Sequence, residues 1–559
     1  MGSFEGTRRY LAAGFFTRQP RATGGATRRL LRRGALGSVV GDDQPRSHGP
    51  RRREERRSDV TLPLFERARR YAARTAIVAP EGDLSYGELS AAAESVATHL
   101  LDGRPDLGGE RVCFLIPSGW SYAAVQWGIW RAGGVAVPMA VSHPTAELEH
   151  VLDDARPTTV VAHPELASRL ADAATTRGLR LIDTQELTRS SSARTLPALA
   201  PERPCMILYT SGTTGRPKGA VISHGNLQAQ VESLSQAWGW TPDDRVLLHL
   251  PLHHVHGIVN VLTSALWNGA VCEILPTFRP VDVWERLASG GLTLYMAVPT
   301  VYARLIDAWD EAAPGTRNAW SRGARACRLM ISGSAALPVP TLERWEAITG
   351  HRLLERYGMT EIGMALSNPV AGERRPGYVG EPLPGVQVRL VDEADQPVSV
   401  GTPGQIQVRG PTVFGCYLGR PQETTAAFTP DGWFRTGDVA VIEQGAYRIL
   451  GRSSVDILKT GGEKISALEI EDVLRAHEAV ADCAVVGVPD PEWGERVCAA
   501  IVPRPASEVS EAELRMFAKS RLAPYKVPKQ FLLVAELPRN PMGKVTKPAV
   551  RELFQSDTR

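Results

Sequence analysis

Short apolar runs alternate with segments of helical periodicity along most of the chain. The runs Val112 to Ile116, Val135 to Pro138 and Thr158 to Ala162 have the length of buried strands. Helical segments lie between them, one from about Ser118 to Ala132 and another after Pro144. Strands that alternate with helices form parallel sheets covered by helices on both faces. The sequence therefore predicts an α/β fold with doubly wound, mainly parallel sheets.

Local signals mark where the predicted helices begin and end. Ser85 followed by Glu88 forms a capping box, which predicts a helix that runs toward Leu101. The pair Gly133 and Gly134 predicts the end of a later helix. Sheets of this kind bind ligands at the carboxyl ends of their strands, so Gly-rich loops after strands are the expected places for chemistry.

Composition places the chain among soluble globular proteins. Of its 559 residues, 43% are hydrophobic and 22% are charged, and no apolar run is long enough to span a bilayer, so no stable membrane insertion is expected. The seven cysteines are scattered and show no CxxC spacing. This pattern predicts reduced thiols and argues against a disulfide framework or a zinc site.

The positive charge is concentrated in an N-terminal leader. Residues 1–57 contain fourteen Arg and five acidic residues, a balance of +9, so the total of +3 leaves −6 for the rest. Glu5 is the only acidic residue before residue 42, and in a helix Leu30 and Leu31 would lie opposite a face formed by Arg28, Arg29, Arg32 and Arg33. This composition is typical of an organelle transit peptide, and a disordered extension is the alternative. No basic stripe follows the leader, so nucleic acid is not an expected partner.

A Gly-rich loop follows the apolar run Met206 to Leu208. The segment Tyr209 to Gly219 reads YTSGTTGRPKG, in which glycines expose backbone N–H groups, hydroxyls add donors and Lys218 adds a point charge. It predicts a cradle for a polyphosphate. It is not a Walker A loop, because Pro217 precedes the lysine and no Ser or Thr follows it. A purely structural loop is the alternative interpretation.

Lysine is rare in this chain, which contains only eight. Where Arg supplies nearly all positive charge, the remaining lysines are candidates for positions that need a compact ammonium. Lys218 and Lys544 both lie in Gly-containing loops, as phosphate ligands should. Base composition could produce the same pattern, so it is supporting evidence only.

The loop and the motifs that follow it resemble the adenylate-forming superfamily of acyl-CoA synthetases, peptide-synthetase adenylation domains and luciferases. The further motifs occur in the family's order: Ile331 to Ala335, Arg356 to Glu361, Gly432 to Asp438, Gly451-Arg452 with Lys459 to Gly462, and Pro538 to Lys544. The match covers roughly residues 60–550. It implies a large AMP-binding domain at 58–452 and a small, mobile α+β domain at 453–559, with a hinge near Ser454. The leader that the composition indicates precedes them at 1–57.

The resemblance also implies roles for individual residues. ATP and its phosphates would be bound by Thr210, Ser211, Gly212, Thr213, Thr214, Gly215, Lys218, Gly333, Ser334, Tyr357, Asp438 and Arg452. Thr360 would contact the α-phosphate, and Glu361 would coordinate Mg²⁺. Lys544 would contact both the attacking carboxylate and the α-phosphate. CoA would pass along Lys459, Gly461, Gly462 and Lys464.

Arg356 suggests which acid is activated. A cation beside a pocket that already binds one carboxylate at the phosphate predicts a second carboxylate, and therefore a short dicarboxylic acid. An arginine that faces solvent or a phosphate is the alternative. The segments 251–257, 296–302 and 354–369 closely resemble malonyl-CoA synthetases, which implies that His256, Ser334 and Arg356 hold malonate. His254 remains an alternative to His256.

The resulting hypothesis is an AMP-forming ligase for malonate, with methylmalonate as a second substrate, and with ATP, Mg²⁺ and CoA as cofactors or co-substrates. Animal members of the group are mitochondrial, so the leader predicts the mitochondrial matrix, with plastid and cytoplasm as alternatives. The nearest rival function is ligation of short- or medium-chain monocarboxylic acids. Adenylation for a carrier protein and a catalytically inactive binding protein are further alternatives.

Overall fold

The computed structural model describes residues 62–188, 195–210, 217–460, 463–491, 493–505, 507, 509–539 and 544–556. These residues belong to one compact unit, Ser58–Arg559. Three sets of predictions lie outside the described residues: the leader at 1–57, the loop residues Ser211, Gly212, Thr213, Thr214 and Gly215, and the glycines Gly461 and Gly462.

Helices and strands alternate through the described residues. The helices are α1 (Pro63–Arg70), α2 (Tyr86–Leu101), α3 (Trp120–Arg131), α4 (Thr145–Ala155), α5 (Pro164–Arg177), α6 (Thr184–Leu187), α7 (His224–Trp238), α8 (Ser264–Asn268), α9 (Pro280–Ala288), α10 (Pro299–Glu311), α11 (Pro314–Arg325), α12 (Val339–Thr349), α13 (Pro421–Ala427), α14 (Ala467–Arg475), α15 (Glu511–Lys519) and α16 (Lys547–Ser556), with a π-helix at His256–Thr263 and a 3-10 helix at Pro524–Lys526.

The strands are β1 (Thr75–Ala79), β2 (Gly82–Ser85), β3 (Arg111–Leu115), β4 (Val135–Pro138), β5 (Thr159–Ala162), β6 (Arg180–Asp183), β7 (Pro204–Thr210), β8 (Lys218–Ser223), β9 (Arg245–Leu248), β10 (Val271–Ile274), β11 (Leu294–Ala297), β12 (Leu329–Ser332), β13 (Leu354–Met359), β14 (Gly363–Ser367), β15 (Glu381–Pro382), β16 (Gln387–Val391), β17 (Gly404–Arg409), β18 (Cys416–Tyr417), β19 (Phe434–Glu443), β20 (Ala446–Arg452), β21 (Ile457–Thr460), β22 (Glu463–Ser466), β23 (Val480–Asp490), β24 (Gly494–Pro503) and β25 (Gln530–Leu533).

Two large sheets are parallel at their centres, as predicted. The first has the strand order β15-β14-β13-β12-β11-β9-β10-β1-β2, and the second has the order β18-β8-β7-β4-β3-β5-β6. Antiparallel pairs lie toward the ends of both sheets, at β1–β2, β13–β14 and β14–β15 in the first and at β7–β8 and β8–β18 in the second. The predicted α/β fold class is confirmed.

The predicted elements occur with shifts of one or two residues. Ser85 caps α2 and forms the predicted capping box with Glu88. The strand expected at Val112 to Ile116 is β3, and Gly133 lies just after α3 with a φ of +79°, which a glycine adopts without steric cost. The apolar run before the phosphate loop extends to Thr210, and β8 returns antiparallel to it. Lys218 is therefore the first residue of a strand, because its backbone pairs with Thr210.

A third, antiparallel sheet was not predicted. Its strand order is β16-β17-β19-β20. Side chains alternate between faces along a strand, and in the first part of β19 Phe434, Thr436 and Asp438 are buried while Arg435 and Gly437 are less so. Asp438 thus lies on the inward face, which an acidic residue tolerates only with partners.

The C-terminal part of the chain forms a smaller α+β layer, as predicted. The strands β22-β21-β24-β23 form a sheet, and β25 pairs with β24. Ile470 and Leu474 of α14 are 0% exposed and share a core with Val485 and Val497 of this sheet. Each such aliphatic side chain stabilises the layer by about 1.5–3 kcal/mol.

The length and hydropathy of the described helices determine whether any of them could span a membrane. Among the described residues, no helix combines the length and the apolar character needed to cross a membrane.

All seven cysteines are free thiols, and all but Cys416 are buried. Burial raises the pKa of thiols such as Cys113, so they stay protonated and unreactive.

Candidate active site

Three side chains that were predicted to bind the acid form one polar cluster. Arg356 lies in β13, Ser334 follows β12, and His256 is the first residue of the π-helix. Arg356 Nη2 donates to Ser334 Oγ at 3.2 Å, and Ser334 Oγ lies 3.2 Å from His256 Nδ1. Strands β12 and β13 are parallel neighbours, which brings Ser334 beside Arg356. We call these three residues the Arg356 cluster.

The Arg356 guanidinium is a buried cation with donors to spare. The residue is 2% exposed, and neither Nε nor Nη1 has a hydrogen-bond partner among the described residues. Burial lowers the pKa of Arg356 to about 9, so the side chain stays cationic at neutral pH. A carboxylate in contact would have opposed that shift. The cluster therefore presents an unneutralised positive charge inside the protein.

The neighbouring acid Glu355 does not neutralise Arg356. Successive residues of a strand point to opposite faces of the sheet, so the two side chains diverge. Glu355 Oε1 instead accepts a hydrogen bond from Leu337 N at 3.1 Å. Burial raises the pKa of Glu355 to about 8, which keeps its carboxyl group protonated at neutral pH.

Gly333, which precedes Ser334, leaves room for the Arg356 guanidinium because it has no side chain. A Cβ at Gly333 would lie 2.6 Å from Arg356 Cζ, so any side chain there would displace Arg356. Ser334 has a φ of +72°, a left-handed conformation that costs a non-glycine residue roughly 1–2 kcal/mol. That conformation accompanies the placement of the Ser334 hydroxyl between His256 and Arg356, and strained residues of this kind occur often at binding sites.

His256 adds a second donor to the cluster. Burial, reinforced by repulsion from Arg356, holds the pKa of His256 well below its ordinary value, so the ring is neutral. Because Ser334 Oγ accepts a hydrogen bond from Arg356, its own proton is available to His256 Nδ1, which assigns the ring proton to Nε2. Nε2 is buried and has no partner among the described residues. The cluster thus offers donors and a charge that match a carboxylate.

The predicted adenosine residues also lie together. Tyr357 donates from its hydroxyl to Asp438 Oδ2 at 2.6 Å, and Arg452 Nε donates to Asp438 Oδ1 at 2.9 Å. Asp438 and Arg452 are directly paired across β19 and β20. Burial, followed by the negative charge of Asp438, raises the pKa of Tyr357 well above its usual range. Tyr357 follows Arg356 in β13, so adjacent residues connect the two parts of the site.

Two residues that were not predicted, Tyr417 and Glu423, lie beside the predicted phosphate ligand Lys218. Lys218 forms an ion pair with Glu423, and its ammonium lies 5.5 Å from the centre of the Tyr417 ring. Tyr417 donates from its hydroxyl to Glu361 Oε1 at 2.9 Å. Thr210 is cross-strand partner to Lys218. Tyr417 therefore connects the predicted phosphate ligand Lys218 with the predicted metal ligand Glu361.

No local signal in the sequence marks Tyr417 or Glu423. The short strand β18 pairs with β8 through Tyr417 and Ala220, and this long-range pairing brings Tyr417 and Glu423 to Lys218. The Pro-Gln-Glu sequence before Thr424 predicts at most the start of a helix.

Thr360 and Glu361 lie in the turn between β13 and β14. Glu361 is 4% exposed, and burial raises the pKa of its carboxyl group, although the Tyr417 hydrogen bond opposes that shift. A carboxylate oxygen is the type of donor that Mg²⁺ prefers, and a bound cation would offset the cost of burying the charge. Among the described residues, no group of three or more His, Cys, Asp and Glu side chains is placed to hold a metal ion.

Lys544 lies within electrostatic range of both parts of the site. Limited hydration lowers the pKa of Lys544, repulsion from Arg452 and Arg356 lowers it further, and Asp438 raises it. The residue as a whole is nevertheless exposed. A lysine with this environment is well suited to bind an added anion.

Lys459 and Lys464 lie opposite each other on the hairpin of β21 and β22. The backbone of Lys459 donates to Glu495 Oε2 at 2.7 Å, and Lys464 Nζ lies 2.6 Å from Glu393 Oε1. Their described contacts are with these acids and not with the Arg356 cluster.

Known proteins share both the sequence and the fold. Residues 64–418 match the family described as AMP-binding enzyme, and residues 469–544 match the AMP-binding enzyme C-terminal domain. The mitochondrial malonate–CoA ligase ACSF3 of Mus musculus is 45% identical over 90% of this chain and 93% of its own length.

Two solved structures are also similar. ATP-bound MatB from Rhodopseudomonas palustris is 35% identical, with a TM-score of 0.82 over 89% of this chain and 100% of its own. A malonyl-CoA ligase in a ternary product complex with methylmalonyl-CoA and AMP is 38% identical, with a TM-score of 0.63 over 86% of this chain and 100% of its own. The chain therefore belongs to the AMP-binding enzyme family, the adenylate-forming superfamily that its loop and motifs resemble.

Proposed function

We propose that this protein ligates malonate to CoA with ATP, through a malonyl adenylate, and that it also accepts methylmalonate. The observation that carries the proposal is the Arg356 cluster, in which a buried cation and a buried imidazole N–H have donors without described partners. A second carboxylate satisfies these donors and neutralises the charge. A monocarboxylic acid would leave the charge buried and unpaired, which costs several kcal/mol.

In the first step, an oxygen of the other malonate carboxylate attacks the α-phosphorus of ATP. The bond between that phosphorus and the oxygen bridging to the β-phosphate breaks, and pyrophosphate leaves. This attack brings two anions together. Lys544, whose charge is already disfavoured by Arg356 and Arg452, gains stabilisation from any anion between them. Thr360 hydrogen-bonds the α-phosphate. In the second step, the thiolate sulfur of CoA attacks the acyl carbon, the bond from that carbon to the phosphate oxygen breaks, and AMP leaves.

The remaining site residues bind ATP. Thr210 and Lys218 hold the β- and γ-phosphates together with the loop residues 211–215. Tyr357 stacks on adenine beside Gly333 and Ser334, while Asp438 and Arg452 hold the ribose. Glu361 would hold Mg²⁺, which when bound would neutralise phosphate charge. Lys218 exchanges its ion pair with Glu423 for a phosphate contact.

The small C-terminal layer acts as a mobile domain that begins at residue 453 and carries Lys544. Support comes from the end of β20 at Arg452 and from the proximity of Lys544 to Arg356. The higher TM-score with the ATP-bound relative than with the product complex is consistent with an arrangement for adenylation. After rotation about the turn near Ser454, Lys459, Gly461, Gly462 and Lys464 line the path of CoA.

We infer that residues 1–57 direct the protein to the mitochondrial matrix. Their Arg-rich, acid-poor composition and the mitochondrial relatives support this location. A fusion of residues 1–57 to a fluorescent protein is expected to enter mitochondria and to be shortened there. A fusion in which Arg28, Arg29, Arg32 and Arg33 become Gln is the matched control and should stay outside. Import of both, or of neither, contradicts the inference.

A panel of acids tests the proposed function. Pyrophosphate release with ATP and Mg²⁺, and loss of free CoA thiol, are measured for malonate, methylmalonate, acetate and octanoate. The unpaired-charge cost predicts a kcat/KM for the two diacids that is at least about 100-fold higher than for the monoacids. Octanoate turnover equal to that of malonate would instead assign a monocarboxylate ligase.

A further inference from the structure

Lys547 is a buried lysine to which the proposed chemistry gives no role. Its side chain is 12% exposed, at the start of α16 and three residues after Lys544. The ammonium bonds to Glu471, donates to the carbonyl oxygen of Val485 at 2.7 Å, and lies 3.4 Å from Asp456 Oδ1. Burial lowers the pKa of Lys547, but the charges of Glu471 and Asp456 raise it above its ordinary value. Lys547 is thus a paired cation within the small layer.

Asp456 closes the turn between the antiparallel sheet and the small layer. Its Oδ2 accepts a hydrogen bond from Arg452 N at 3.0 Å, and its own backbone N donates to the Arg452 carbonyl at 2.8 Å. Gly451 has a φ of +122°, and a Cβ there would lie 2.4 Å from Asp456 Cβ. The backbone before the turn is therefore shaped around Asp456.

These contacts form a continuous chain of polar bonds across the site. Arg452 Nε donates to Asp438 Oδ1 at 2.9 Å, Asp456 bonds to the Arg452 backbone, and Lys547 pairs with Asp456. Lys544 lies three residues before Lys547 in the chain. Between them, Thr546 N donates a hydrogen bond to the Pro538 carbonyl at 2.9 Å. This chain of polar bonds connects Lys547 to Asp438 through Asp456 and Arg452.

We propose that Lys547 is a positioning residue for adenylation: through Asp456 it fixes the segment that carries Lys544 to the turn after Arg452. This inference rests on the proposed adenylating function. The described contacts of Lys547 are with Asp456, Glu471 and the Val485 carbonyl, and it is not among the residues proposed to bind ATP or malonate, so it acts through the placement of Lys544. A shift of about 1 Å in a catalytic group costs on the order of 100-fold in rate. Thioester formation, which uses the rotated arrangement, does not depend on this placement.

The two half-reactions separate this role from a structural one. ATP–pyrophosphate exchange with malonate reports adenylation, and loss of CoA thiol with synthetic malonyl adenylate reports thioester formation. Lys547→Gln is expected to slow exchange by about 10- to 100-fold and to leave thioester formation within about threefold. Lys547→Arg keeps the charge and should recover most of the exchange activity.

Asp456→Asn is the second variant, because it keeps an acceptor for Arg452 N and removes only the charge that pairs with Lys547. It should show the same selective loss even if Lys547→Gln folds poorly. Lys526→Gln is the matched control, because Lys526 pairs with Glu469 at 2.6 Å in the same layer without contacting the turn. Its ratio of half-reaction rates should equal that of the unmodified protein.

The outcomes distinguish the inference from the proposed function. Unmodified protein that exchanges no pyrophosphate with malonate refutes both. Unmodified protein that is active, combined with an Asp456→Asn variant that loses both half-reactions equally or neither, overturns the role of Lys547 alone. Selective loss of exchange in Asp456→Asn and Lys547→Gln, with recovery in Lys547→Arg, establishes it.

Discussion

The Arg356→Gln variant is expected to lose about 10³-fold in kcat/KM for malonate, because a buried ion pair loses about 3–5 kcal/mol when one partner is removed. The second carboxylate of malonate would then enter a buried site without a counter-charge. Acetate makes no use of that charge, so its turnover should stay the same or rise slightly. Initial rates of pyrophosphate release for both acids, across their concentration ranges, measure the effect.

Arg352→Gln is the matched control for Arg356→Gln. Arg352 is close in sequence, but its side chain is 40% exposed and pairs with Glu346 at 2.9 Å. Exposed pairs contribute little, so malonate turnover should be unchanged. Thermal unfolding of both variants shows whether either substitution harms the fold. Equal losses for malonate and acetate in Arg356→Gln, with normal unfolding, would give Arg356 a role unrelated to the second carboxylate.

The Lys544→Ala variant is expected to lose at least about 10³-fold in ATP–pyrophosphate exchange, because it removes the cation that stabilises the charge of the adenylation transition state. Thioester formation from synthetic malonyl adenylate should continue, since pyrophosphate has already left. The ratio of the two half-reaction rates is the informative quantity. A global loss of structure would lower both rates together.

Lys519→Ala serves as the control for Lys544→Ala. Lys519 is an exposed lysine at the end of α15, in the same C-terminal layer. Both of its half-reactions should match those of the unmodified protein. If Lys544→Ala keeps its pyrophosphate exchange, then another cation performs the proposed role, and the proximity of Lys544 to Arg356 has no catalytic meaning.

Much of the fold was readable from local pattern. The short apolar runs at Val112 and Val135, separated by a helical segment, predicted parallel strands, because strands buried on both faces are continuously apolar. The Ser85 capping box fixed a helix start to the residue. The antiparallel sheet that holds Asp438 escaped prediction, because its strands mix buried and exposed residues and lack the continuous apolar runs of the parallel sheets.

The sequence identified most residues of the site but not the contacts between them. Arg356, Ser334 and His256 come from three separate segments, and the motifs named them without showing that Ser334 bridges the other two. The close approach of Arg356 to Gly333 requires the three-dimensional packing of β12 against β13. Tyr417 reaches Glu361 through the pairing of β18 with β8 and through the hydrogen bond from Phe414 N to the Glu361 carbonyl at 2.8 Å, and the two-residue strand offers no sequence pattern that predicts either contact.

The most direct test removes the Arg356 charge and the second carboxylate charge of the substrate, separately and together. The kcat/KM values of the unmodified protein and Arg356→Gln are measured with malonate and with monomethyl malonate, which keeps the reacting carboxylate and masks the other as an ester. The unmodified protein should prefer malonate by about 100-fold or more, and Arg356→Gln should lose that preference. An equal preference for malonate in both proteins would contradict the pairing of Arg356 with the second carboxylate.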